Sequence, residues 1–373
     1  MTASEKILQK ALVGSKLDSR MWNGIQAGLR DRAFISSQVE SARILHSTRE
    51  LSSRVASGDL SVSDFRLKMR HALYLDNYDP GDRRGTVKDL LTARRLDVIV
   101  KTNVAQARGY VQHLQATNEG ALLAYPCYEL VRVAQRKQPR DWAARWRDAG
   151  GRFFGGRMIA TKTDPIWTRI SAFGNPFPPF DWGSGMGLDE VGYAEAVKLG
   201  VIERGQKIEP PKIDFNGKLE ATVPMRHDSP EADSLREAFG INEDEKGALV
   251  SFEGNVVHWH GERIRAVFDG SLKKVNLGRG YDGRNLSLSH NIIADHIKKH
   301  IGENEKDKRN IPLTPGDFEL IPSMWRKPDR VSEGKDGEDV LSLETFDNCT
   351  LQLVVDRHIG ITTFYKMKNP GGA

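Results

Sequence analysis

The sequence predicts a multidomain α+β chain: a mainly α-helical N-terminal half, an irregular lobe rich in glycine and aromatic residues, and a small α+β domain at the C-terminus. Three observations predict it. Apolar residues recur at helical spacing up to Gln115, glycines and aromatic rings crowd between Gly150 and Gly187, and short strand-like runs alternate with helical ones beyond Asp233. At 373 residues the chain is about two to three times a typical domain. Its 39% hydrophobic and 28% charged residues exclude a wholly disordered chain. Mean hydropathy is −0.50, and no run approaches the ~18 apolar residues that a membrane crossing needs. No membrane partner is expected.

Residues 1–84 form the first predicted region. The lysines between Met1 and Leu17 are not followed by an apolar stretch, so no secretory signal is expected. Ser61 is a helix cap with Asp64 at the third position. Behind it Phe65, Met69, Ala72 and Leu73 make one buried stripe. Asn77 to Asp82, with Pro80 and Gly81, breaks that helix.

Residues 85–204 form the second region. A long helix is predicted from about Thr86 to Gln115. Along it Leu96, Val100, Val104, Ala107, Val111 and Leu114 make a narrow seam of near-heptad period. Such a seam wants a partner helix, from this chain or from a neighbouring subunit. From Gly150 onward glycine and proline alternate with Phe153, Phe154, Trp167, Phe173, Phe177, Phe180 and Trp182. That texture predicts an irregular lobe held by ring packing, closed by a helix from Asp189 to Leu199 with Gly200 just past its end.

Residues 205–232 read as a linker, with Pro210-Pro211, Pro224 and Pro230. Residues 233–373 read as α+β. Strands are predicted at Ala248–Phe252, Asn255–Trp259, Leu351–Val355 and Ile359–Tyr365, and a helix at Ile292–Ile301. Gly278 to Gly283 lacks the Lys-Ser/Thr pair of a phosphate loop and reads as a turn.

The net charge is 55 − 50 = +5. Between Val131 and Arg152 stand seven bases against Asp141 and Asp148, so this segment alone holds the whole excess. Arg136, Arg140, Arg145, Trp142 and Trp146 lie in it, arranged to meet phosphates or an acidic protein surface. A solvated helix face satisfies the same pattern. The two cysteines, Cys127 and Cys349, supply neither a disulfide framework nor a four-ligand zinc site, and point to a reducing compartment. His258 and His260 share a strand face without further ligands, so no metal and no cofactor is expected. His290, His296 and His300 surround a basic helix bearing Lys298 and Lys299. His296 and His300, four apart, suit a phosphate or acid–base cleavage of RNA, and exposed histidines on an amphipathic helix give the same spacing.

The helix Arg94 to Gly109 resembles the signature helix of the Mu F-like and SPP1-type phage minor head (head morphogenesis) proteins. The similarity extends in order through Tyr125-Pro126-Cys127-Tyr128-Glu129, the basic turn Arg136–Arg140, Asp164-Pro165-Ile166-Trp167 and Phe177-Pro178-Pro179-Phe180-Asp181-Trp182. It covers Leu60 to Leu199. Many members of that family carry a histidine after the basic turn and a Cys-x-Cys after the double proline. This chain has Trp142 and Gly183-Ser184-Gly185 there, so a zinc knuckle is not implied. The resemblance implies a few copies near the portal, assisting capsid assembly or DNA packaging. It gives portal protein and other head proteins as partners, DNA or RNA as a further one, and the virion head and the host cytoplasm during assembly as locations. Leu96, Val100, Val104 and Val111 would dock on a helical neighbour.

The C-terminal stretch from Thr314-Pro315-Gly316-Asp317-Phe318 to Ile361–Tyr365 is similar to the barnase/EndoU/colicin/RelE-like nuclease modules carried by phage head proteins. That likeness implies an RNase-like activity with His290, His296, Lys298, Arg309, Thr363 and Tyr365 as candidate catalytic residues. A non-catalytic capsid-binding module fits it equally.

Overall fold

The computed structural model describes residues 1–14, 22, 27–212, 220–221, 255–256, 260–301 and 310–369. Among them the chain is a mixed α+β protein. Predicted residues Ala248–Phe252, Val257–Trp259 and Arg309 lie outside the described residues.

Helix Val62–Leu75 forms as its sequence predicts. The Ser61 hydroxyl accepts the Asp64 N–H at 3.0 Å, and Phe65, Met69, Ala72 and Leu73 are its buried residues. The Asp64 carboxylate accepts from the Ser61 hydroxyl at 2.7 Å instead of reaching a backbone amide. The long helix spans Ala93–Ala116, seven residues short of its predicted start. Asp89, 3% exposed, accepts the N–H groups of Gly85 and Leu91. Those side-chain bonds hold the backbone in turns, and the helix waits for the Thr92 cap.

This long helix packs on helices Ala3–Leu8, Ala42–Ser57 and Val62–Leu75. Leu96, Val100, Val104 and Ala107 lie in one core cluster with Ile7, Leu45, Phe65 and Met69. The same cluster continues into the C-terminal residues Ile264, Leu288, Phe318, Trp325, Leu353 and Phe364. The N-terminal helices and the C-terminal sheet therefore share a core, and the cut placed at residues 205–232 does not separate two hydrophobic interiors.

The C-terminal part is a five-stranded antiparallel sheet in the order Asn310–Ile311, Gly360–Lys368, Cys349–Asp356, Asp339–Thr345, Arg330–Glu333. Register places Leu341, Leu353 and Phe364 side by side on its buried face. Phe318 meets Phe364 edge-on at 5.3 Å. A hairpin, Lys274–Arg279 with Asn285–Ser289, approaches Trp325 closely. The Trp325 indole donates to the Gly278 carbonyl at 3.1 Å. A side chain at Gly280 would overlap the same ring, so glycine is required there.

The lobe is more regular than its composition predicts. Strands Phe153–Phe154, Arg157–Thr161, Cys127–Arg132 and Met186–Val191 form an antiparallel sheet in that order. The predicted helix from Asp189 is correspondingly shorter, Tyr193–Lys198, because Asp189–Val191 pair with Cys127–Glu129. Rings do hold the lobe: Trp146 lies 5.3 Å from Trp167, which stacks on Phe180 at 6.1 Å. All three are fully buried. The lobe meets the far end of the long helix, where Tyr110 and His113 pack on Phe177. A side chain at Gly109 would overlap the Pro178 carbonyl, so the closeness of helix and loop there demands glycine.

One buried histidine is expected to make the shared core sensitive to pH. His46 sits 3.8 Å from Asp317 Oδ1 and 4.0 Å from Glu50 Oε1, and its Nε2 has no hydrogen-bond partner. Burial lowers its pKa to about 4, against the opposing pull of Glu50, while Arg49 and Lys366 add to the lowering. The unfolded chain therefore takes up a proton first as pH falls below about 6.5. Stability is full above that value and is lost as pH drops toward 4, on the order of 3 kcal/mol from this group. Urea unfolding across pH 7 to 4.5 is expected to show the loss, and His46→Gln to flatten it. An unchanged profile in His46→Gln would assign the acid sensitivity elsewhere.

Candidate functional site

The arginine-rich segment after strand Cys127–Arg132 folds onto the loop that follows the double proline. Backbone starts the contact: the N–H groups of Val133 and Ala134 both donate to the Gly185 carbonyl. Guanidinium groups complete it. Arg136 Nε donates to the Gly183 carbonyl at 2.8 Å, and Arg140 Nη2 to the Trp182 carbonyl at 3.0 Å. Arg145 Nη1 lies 2.9 Å and Arg140 Nε 3.4 Å from Asp181 Oδ2. Arg132 donates to the Arg140 carbonyl at 3.4 Å. Helix Trp142–Asp148 carries Arg145 into place, started by Asp141, whose side chain accepts the Ala144 N–H.

The result is a fixed cationic surface. Arg132, Arg136, Lys137 and Arg140 are exposed and Arg145 is half-buried. Two carboxylates, Asp141 and Asp181, stand among these five bases, leaving 5 − 2 = +3. Trp182, 40% exposed, and Val133, 65% exposed, supply apolar area beside the charge. Positive forks already held by carbonyls lose little freedom on binding, so such a surface is prepared for carboxylates or phosphates.

The other residues proposed for partner binding fall elsewhere. Leu96 and Val100 are fully buried and Val104 is 7% exposed, all within the chain's own core. The seam is thus covered by the protein's own helices, and its role as a docking edge for another subunit is corrected. Val111 is half-buried, and Leu114, 37% exposed, lies beyond that core. Trp142 and Trp146 belong to the aromatic core of the lobe, 3% and 0% exposed, and are not presented to a partner. Trp142 still contributes indirectly, since the Arg145 guanidinium lies 4.8 Å over its ring.

The turns that carry three nuclease candidates, His290–Ile292, Ile293–Ile297 and Lys298–His300, pack on strand Gly360–Lys368, which carries Thr363 and Tyr365. His290 Nδ1 bonds the Val267 carbonyl at 2.9 Å. The expected helix Ile292–Ile301 is a π-helical turn, Ile293–Ile297, followed by a 3₁₀ turn, Lys298–His300. The regular α-helical turn expected between His296 and His300 is therefore absent. His296 and Lys298 face solvent, whereas His300 is half-buried with its ring 5.6 Å from Tyr365. Tyr365 donates to Gln352 Oε1, and Thr363 Oγ1 is buried without a hydrogen-bond partner. Arg309 is outside the described residues.

Sequence reasoning missed Asp181, Trp182, Gly183 and Gly185 as the platform of the cationic surface. Their one signal was position, shortly after Pro178-Pro179 in the stretch that resembles the head proteins. Among the described residues no group of three or more His, Cys, Asp or Glu is placed to hold a metal ion. No helix there is long and apolar enough to cross a membrane. No family model, curated protein or solved structure matches this chain.

Proposed function

We propose that this chain is a phage or prophage minor head protein, acting at the portal vertex in capsid assembly or DNA packaging. The observation that carries the reading is the cationic surface of Arg132, Arg136, Lys137, Arg140 and Arg145 on Asp181–Gly185. It joins two of the ordered stretches that resemble the head proteins, the basic turn and the double-proline loop, into one preformed patch. In this reading the aromatic lobe is the head-protein domain, and the C-terminal α+β region is an appended domain seated on the N-terminal helices. Its partners are portal protein and other head proteins, with packaged DNA as a further polyanion. Its places are the head and, during assembly, the host cytoplasm.

The test is capture of the full chain by portal protein, with and without the paired reversal Arg136→Glu and Arg140→Glu. Reversal is expected to weaken binding at least about tenfold and to flatten its salt dependence, with the far-UV spectrum unchanged. Unaltered capture would remove the patch from the interface. An RNase-like activity of the C-terminal region is the second reading; His290, His296 and Lys298 lie on turns packed against the strand of Thr363 and Tyr365, which suits a non-catalytic module equally.

A further inference from the structure

A cavity of about 110 Å³ opens between the long helix, Lys10, residues 30–37 and the loop carrying Phe173, Asn175 and Trp182. That is many times the roughly 10–15 Å³ that admits one water. Its described lining carries Lys10, Arg30 and Arg95 against a single carboxylate, Asp31, or 3 − 1 = +2. Asp31 is already shared. Lys6 forms an ion pair with one of its oxygens, and Lys10 lies 3.7 Å from the other. Lys10, 4% exposed, has its pKa lowered by burial against the pull of Asp31.

Arg95 is the decisive residue. Its Nη2 reaches only the Ser37 carbonyl at 3.4 Å and Ser36 Oγ at 3.5 Å, both at the limit of hydrogen bonding. Its Nε is buried with no partner. No carboxylate of the described residues pairs with it. A guanidinium held in this way is a planar fork awaiting an oxyanion. Ser36, Ser37 and Thr102 offer hydroxyls around the same space. Trp182, 40% exposed and edge-on to Phe173 at 5.0 Å, also lines the cavity. Its exposed face is one on which a flat ring can stack.

We propose that this cavity binds the phosphate of a nucleotide, with Arg95 as the anchoring donor and Trp182 as the wall on which the base stacks. A phosphate monoester carries about −1.5 to −2 charges, which suits the excess of cations among the described lining residues. Arg140 holds the Trp182 carbonyl, so the cavity borders the cationic surface. The nucleotide is therefore either free or the end of a nucleic-acid strand. The site stands independently of the head-protein reading.

The experiment titrates the full chain with four probes, a nucleoside 5′-monophosphate, the bare nucleoside, inorganic phosphate and a 5′-phosphorylated single strand, followed by tryptophan fluorescence and thermal shift. The monophosphate is expected to saturate at micromolar to millimolar concentration, at least about tenfold below the nucleoside and phosphate. Arg95→Gln is expected to weaken it at least about tenfold without lowering the melting point of the unliganded chain, and Arg95→Lys to recover part of the loss. Tighter binding of the strand than of the monophosphate identifies a strand end, and the reverse identifies a free nucleotide. Should Arg95→Gln fail to fold, Trp182→Leu carries the test, and is expected to weaken the monophosphate more than phosphate. Equal affinity for phosphate and monophosphate, no saturation by any probe, or indifference to these substitutions would overturn the proposal.

Discussion

Glu319→Gln is expected to destabilise the chain by about 3 kcal/mol, the cost of taking from buried Arg49 the more buried of its two carboxylates, Glu50 remaining 3.1 Å from Nη2. Glu319 is 5% exposed and Arg49 fully buried. Arg49 Nη1 lies 3.1 Å and 3.2 Å from the two carboxylate oxygens. Arg265 donates to Oε1, and the Leu12 N–H to Oε2 at 2.8 Å. The same two arginines cap the end of helix Ala3–Leu8. Arg265 donates to the carbonyls of Leu8, Gln9 and Lys10, and Arg49 to that of Lys10. The Leu8 and Gln9 carbonyls are among those a helix C-terminus leaves without partners, and Lys10 follows directly. Removing one carboxylate therefore loosens the first helix, the helix Ala42–Ser57 and the C-terminal domain together. Urea unfolding is expected to move to a lower midpoint in one transition, read alike by circular dichroism and fluorescence. A loss below about 1 kcal/mol, the size of an exposed pair, would mean that water reaches the cluster and that the two ends are separable. For the same reason residues 233–373 expressed alone are expected not to fold, since their inner face is covered by Arg49 and its neighbours.

Val100→Asp is expected to cost more than about 4 kcal/mol, because it sets an unpaired carboxylate in an apolar site. Val100 is fully buried among Leu96, Val104 and the facing helices. The measurement separates the two meanings of the heptad seam. An edge made for another subunit would tolerate the substitution in the free chain and lose only binding. A core predicts loss of the folded state itself, seen as a lowered melting point and early protease cleavage. A well-folded Val100→Asp protein with portal binding lost would restore the docking interpretation.

These outcomes mark how much was legible. Helix Val62–Leu75 was readable to its cap, because a cap and an apolar stripe are local. The seam was readable as a buried face, but periodicity says only that a face is covered, never by what. The contact between Leu12 and Glu319 spans 307 positions and leaves no local trace. Trp142 and Trp146, four apart beside arginines, carried the pattern of a recognition surface, yet large rings on a short amphipathic helix also fill a core, and here they do. His296 and His300 were paired on the assumption of 3.6 residues per turn, which the π-helical turn breaks. The charge excess at Arg136–Arg145 was visible. Its platform at Asp181–Gly185 was not, because irregular glycine-rich loops hold no period from which a register can be read.

The proposed head-protein function is tested most directly by the protein content of any phage-like particles purified from the cells that produce this chain, with the chain located on them by labelled antibody. The account predicts a few copies per particle at the portal vertex, displaced when Arg136 and Arg140 are reversed to glutamate. Particles devoid of the chain while it accumulates free in the lysate would contradict it.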